Sequence, residues 1–141
     1  MPRIRSVLIA AVLSALVLSG CSAVVSVASN TYPDVPNGYA EKVNLFSAEP
    51  LAVWDHGRTV LAVVTVGSGS CPPVPTKFEI VDKQTVNVTF VKSPNNPCSA
   101  DLGPTTHEFK VVDPLDTSKI VTVNLQFDYD TPLDYSITIF P

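Results

Sequence analysis

The sequence predicts an all-β fold: a single antiparallel β-sandwich of immunoglobulin-like size with about seven strands. Three observations point there. Short runs after residue 50 alternate apolar and polar residues with the period of two that a half-buried strand requires. No window of a dozen residues after Cys21 carries the spacing of an amphipathic helix. The 13 prolines fall mostly between the alternating runs, where a residue without an N–H interrupts no ladder. A small closed β-barrel is the alternative that the same pattern allows.

Leu51-Ala52-Val53-Trp54 and Thr59 to Val66 flank Asp55-His56-Gly57-Arg58 and read as a hairpin, with Gly57 supplying the positive φ of a short loop. Val60 to Val66 is apolar at odd and even positions alike, which makes it a central strand covered on both faces. Lys77 to Asp82 and Thr85 to Phe90 alternate on either side of Lys83-Gln84, a tight turn. That register sends Phe78, Ile80, Val86, Val88 and Phe90 inward. Glu108 to Val112, Ile120 to Phe127 and Tyr135 to Ile139 repeat the alternation between Pro-rich or Asp-rich turns. An eighth strand forms if Val43 to Phe46 pairs. Trp54 reads as a core anchor rather than a ligand platform.

The N-terminus follows a different grammar. Arg3 and Arg5 precede an apolar run from Val7 to Leu18, and small residues lead to Cys21, as in a secretory signal. Leu18-Ser19-Gly20-Cys21 resembles the lipobox of bacterial lipoproteins. The resemblance implies that residues 1–20 are removed and that Cys21 is acylated as the mature N-terminus. Each buried methylene contributes about 0.8 kcal/mol, so two or three acyl chains hold where one does not. The rival reading is a transmembrane helix from Val7 to Ala28, oriented by the two arginines. Either way residues 30–141 lie outside the cytoplasm, on the extracytoplasmic face of the cell membrane. Residues 21–40, mixed in Ser, Ala, Val, Asn and Pro, read as a tether, and residues 41–141 as the β domain.

Loss of residues 1–20 removes two of nine basic residues and none of thirteen acids, taking the formal net charge from −4 to −6. An acidic surface argues against nucleic acid and anionic headgroups as direct ligands. With Cys21 assigned to lipid, Cys71 and Cys98 remain to pair in an oxidising compartment. A bridge closing a loop of about 28 residues contributes on the order of 3.5 kcal/mol in the chain-entropy description. No metal or other cofactor is expected: Cys-x-x-Cys is absent, His56 and His107 are far apart in sequence, and Met1 is the sole methionine.

Four segments carry candidate chemistry. Gly67-Ser68-Gly69-Ser70-Cys71-Pro72-Pro73 lacks the Gly-x-Ser-x-Gly pattern, although Ser68 or Ser70 with His107 and Asp101 is a conceivable nucleophilic set. The plainer reading is a Gly-Ser turn leading to a stiff Pro segment. Asp128, Asp130 and Asp134 are a weak cation candidate, with a solvated turn as the alternative. Tyr129 and Tyr135 beside them read either as contact residues or as core at the strand ends. The loop Ser93 to Asp101, with Pro94, Asn95, Asn96, Pro97 and Asp101, is a candidate binding loop, because a pre-organised loop loses less entropy on meeting a partner. Asn87-Val88-Thr89 matches a glycosylation acceptor, and the resemblance to a bacterial lipobox implies that the match is a coincidence.

Trp54-Asp55-His56-Gly57-Arg58, the Gly67 to Pro73 run, and Cys98-Ser99-Ala100-Asp101-Leu102 with Pro104-Thr105-Thr106 are together similar to small lipoproteins of actinobacteria. In these a Gly-Ser-Ser-Ser-Cys-Pro run and a later Cys-x-Ala-Asp recur behind a lipobox. Gly69 departs from the more usual serine, which is expected to loosen that turn. The likeness implies address, disulfide and domain, and names no substrate. The expectation is a non-catalytic cell-envelope lipoprotein that presents a disulfide-stapled β domain to another envelope protein or a small ligand. The alternatives are an inhibitor of a cell-wall hydrolase or protease, a secreted hydrolase, and a structural spacer.

Overall fold

The computed structural model describes residues 23–141. The signal segment 1–20 and the lipidation site Cys21 lie outside the described residues. Among the described residues eight strands follow one another: β1 (Asn30–Pro33), β2 (Leu51–Asp55), β3 (Val60–Gly67), β4 (Val74–Asp82), β5 (Thr85–Val91), β6 (Gly103–Lys110), β7 (Val121–Asp128) and β8 (Leu133–Ile139). They form two four-stranded sheets, ordered β1-β6-β3-β2 and β4-β5-β7-β8, that pack face to face without closing into a barrel. The fold is the β-sandwich that the alternation predicts.

The hairpins follow the sequence pattern. β2 and β3 pair from Leu51 with Val64 to Asp55 with Val60, and β4 and β5 meet across Lys83-Gln84. β3 is an inner strand, and Leu61, Ala62, Val63 and Val64 are all fully buried. Leu61 and Val63 join the core between the sheets, while Ala62 and Val64 alternate to the opposite face. The β1–β2 connection is tied to that outer face: Thr106 Oγ1 donates to the Asp34 carbonyl at 2.6 Å. Phe78 stacks on Phe109 from one sheet to the other at 4.8 Å, and Phe90 stacks on Phe127 of the neighbouring strand in its own sheet at 5.0 Å.

Several expectations change. Residues 30–33, placed in the tether, form edge strand β1 on β6. Just before it, Val27 N donates to the Pro75 carbonyl at 2.9 Å and Ala28 packs on the core. The folded part therefore begins before residue 41. Val43 to Phe46 does not pair; a 3₁₀ turn at Ala40–Lys42 precedes it and a turn at residues 45–47 ends it. β6 starts five residues earlier than the apolar run Glu108 to Val112 suggests, since Thr105, Thr106 and His107 are polar yet pair along β3. The sandwich is antiparallel except for β5 and β7, which run parallel because the chain crosses to the other sheet through β6 between them. Val86, Val88 and Phe90 are fully buried as expected, whereas Phe78 and Ile80 are half-buried because β4 is an edge strand.

Candidate functional site

At one end of the sandwich, the turn after β3 and the loop between β5 and β6 are joined by a Cys71–Cys98 disulfide with a Cα–Cα distance of 5.4 Å. Polar side chains stitch the same two segments. Ser70 Oγ lies 2.9 Å from Ser99 Oγ and accepts from Ser99 N at 2.7 Å. Ser68 Oγ lies 3.0 Å from Ser99 Oγ, and Asn95 Nδ2 donates to the Ser70 carbonyl at 2.8 Å. Asp101 closes the network by accepting from Ser99 Oγ and from Gly69 N. The Ser99 hydroxyl, followed by backbone N–H groups including that of Gly69, holds the Asp101 carboxyl below the usual carboxylate range. A Cβ on Gly69 would lie 2.7 Å from Asp101 Oδ2. Gly69 thus tightens this turn by letting the carboxylate reach the backbone, a correction to the expected loosening. Pro94, Asn96 and Pro97 are exposed on the outside of the stitched loop.

His107 does not join the serines. It sits on the inner face of β6, fully buried, with Nε2 3.1 Å from Thr65 Oγ1 and Nδ1 3.4 Å from Thr31 Oγ1. Phe90 meets its ring edge-on at 5.1 Å. Burial pushes its pKa down to about 4, because the charged ring would lose its water. The conceivable set of Ser68 or Ser70 with His107 and Asp101 is not brought together. Asp101 reaches Gly69 and Ser99, and the imidazole is spent on Thr65 in the core and Thr31 of edge strand β1.

The three C-terminal acids separate as well. Asp130 pairs with Lys92, whose ammonium holds its carboxyl below the ordinary range; Asp128 ends β7, and Asp134 faces Gln126 across β8. Tyr129 and Tyr135 both pack on Phe127, with ring centroids 5.6 and 5.9 Å away, which places them with the core at the strand ends. Trp54 is core too, 8% exposed, and its indole Nε1 has no hydrogen-bond partner. Asn87 accepts from Asn124 Nδ2 on the neighbouring strand at 3.0 Å.

The constellation that sequence reasoning missed lies on the outer face of the other sheet. His56, Gly57 and Arg58 between β2 and β3 all take positive φ, at 46°, 66° and 68°, so the turn is left-handed at two residues that carry a Cβ. Asp55 Oδ1 accepts from His56 N at 2.7 Å. The turn brings His56 Nε2 to 3.7 Å from Asp55 Oδ2 and 3.9 Å from Glu108 Oε1. Glu108 comes from β6, two strands from β2, and its Oε2 accepts from Asn30 Nδ2 of β1 at 3.1 Å. A cavity of about 320 Å³ opens here, bounded also by Tyr32 and Asn37. Burial, then the carboxylates of Glu108 and Asp55, raises the Tyr32 phenol against the opposing Thr106 hydrogen bond. Asp55-His56 in a turn was the one signal available. The partner Glu108 depends on a register that a single sequence does not specify.

Among the described residues no helix is long and apolar enough to cross a membrane. Comparison with protein-family models, curated proteins and solved structures finds no match to this chain.

Proposed function

We propose that this chain is a non-catalytic binding domain of the cell envelope, held to the extracytoplasmic face of the membrane through a lipid on Cys21. It presents loop 93–101 to another envelope protein or a small ligand. One observation carries the reading: Pro94, Asn96 and Pro97 are exposed on a loop that a disulfide, three serine hydroxyls, the Asn95 amide and Asp101 hold in a single arrangement. A loop already ordered gives up little entropy on binding, so modest contacts translate into affinity. The lipobox resemblance supports the address.

The test is site-specific photo-cross-linking in cells. A photo-reactive residue replaces Asn96 in one strain and, as the control, Gln84 at the far end of β5 in another. A discrete adduct from position 96, lost when Cys71 and Cys98 are both serine, supports the proposal. Adducts from both positions, or from neither, overturn it.

A further inference from the structure

We propose that Asp55, His56 and Glu108 form a binding site for one divalent transition-metal ion of the zinc class, beside the cavity bounded by Tyr32. The site is independent of loop 93–101. The three residues offer one imidazole nitrogen and two carboxylate oxygens, and one atom from each lies within 4.8 Å of the others. Imidazole with carboxylates is a donor set that zinc accepts, and three protein ligands leave a position open to water or to an anionic group.

The spacing favours an ion over a direct contact. Separations of 3.7 and 3.9 Å from His56 Nε2 to the two carboxylates are too long for charge-assisted hydrogen bonds. Two ligands bound at about 2.0–2.1 Å to a tetrahedral ion stand about 3.3 Å apart, so the two carboxylates, no more than 4.8 Å from each other, close by up to about 1.5 Å and the two His56 separations by about half an ångström. His56 is exposed and free to supply that movement, its side chain being 65% accessible.

A second observation is independent of those distances. The Glu108 side chain is only 11% exposed, yet among the described residues no lysine or arginine pairs with it. A buried carboxylate ordinarily meets a cation or a metal, since its desolvation is otherwise unmet. Asn30 bonds one carboxylate oxygen and leaves the other turned to His56, the kind of supporting bond that orients a metal ligand. Asp55 is held alike: Oδ1 caps the His56 backbone and Oδ2 faces the ring. Calcium, which takes six to eight oxygen ligands, is poorly served by this set.

The full-length chain in detergent, stripped with a chelator, is titrated with Zn²⁺ by calorimetry alongside Glu108→Gln and His56→Asn. Glutamine keeps an acceptor for Asn30, and asparagine tolerates the left-handed backbone at position 56. Near-ultraviolet circular dichroism checks that both variants fold. The expected result is one Zn²⁺ per chain, at least about tenfold weaker in each variant, with no competition from Ca²⁺. No Zn²⁺ binding, unchanged affinity in either folded variant, or equal competition by Ca²⁺ overturns the proposal. A readout that needs no variant is the NMR spectrum of the unaltered chain, which has two histidines. Zn²⁺ should shift the ring signals of His56 and leave those of His107; unmoved His56 signals overturn the site.

Discussion

His107 Nε2 and Thr65 Oγ1 lie 3.1 Å apart between neighbouring strands β6 and β3, both side chains buried, in a polar pair enclosed by the core. The ring is neutral in the folded chain near pH 7, since its pKa is lowered to about 4 from an ordinary 6.5. Between those values unfolding takes up a proton. The stability that the neutral ring confers is complete above pH 6.5 and is lost as pH falls to about 4, about 3 kcal/mol in all. Urea titrations at pH 7, 5.5 and 4.5 should show this decline, and His107→Gln should flatten it over the same window.

Thr65→Val keeps the shape of the side chain and removes the partner of His107 Nε2. Leaving that buried nitrogen unpaired should lower stability by about 1–3 kcal/mol. Chemical denaturation at pH 7 measures it. No loss would mean that the imidazole finds another partner in the core.

Reducing the Cys71–Cys98 bridge, or replacing both cysteines with serine, opens a loop whose ends are 27 residues apart. Stability should fall by about 3.5 kcal/mol. Amide exchange in residues 93–101 should speed up far more than in β3 or β7, because the bridge and the serine network restrain the same loop. Equal acceleration throughout would mean that the bridge stabilises the whole sandwich rather than the loop.

Gly69→Ala places a methyl group against Asp101 Oδ2, and the carboxylate is free to swing into solvent. The loss of its Gly69 N–H contact should raise the Asp101 pKa toward the ordinary value. Ser99→Ala should raise it further, since that hydroxyl is the largest influence on the carboxyl. Carboxyl titration by NMR reads both changes.

A chain beginning at residue 41 lacks β1, and with it the edge cover of β6 and the partners Thr31 of His107 and Asn30 of Glu108. An uncovered strand edge pairs with other chains. Light scattering should show concentration-dependent association for this chain and a single species for one beginning at Ala23.

The strand content was legible because period-two alternation is a local signal. The hairpins expected at Leu51–Val66 and Lys77–Phe90 appeared in the structure close to those bounds. The pairing of Cys71 with Cys98 was legible too, because it needed only a count. β1 and the first half of β6 were not. Asn30-Thr31-Tyr32-Pro33 and Gly103 to His107 carry no apolar alternation and are strands because each completes the ladder of a neighbour.

By itself, then, the sequence determined the all-β class, the inward residues of β5 and the bridge, since each follows from chemistry within one segment or from the identity of two residues. Only the tertiary structure decided which side chains meet. It took His107 from the serines and buried it against Thr65, dispersed Asp128, Asp130 and Asp134, and carried Glu108 beneath His56. The physical reason is register: residues 52 positions apart share a face only when strands β2, β3 and β6 align, and that alignment is set by how both sheets bury their apolar faces together.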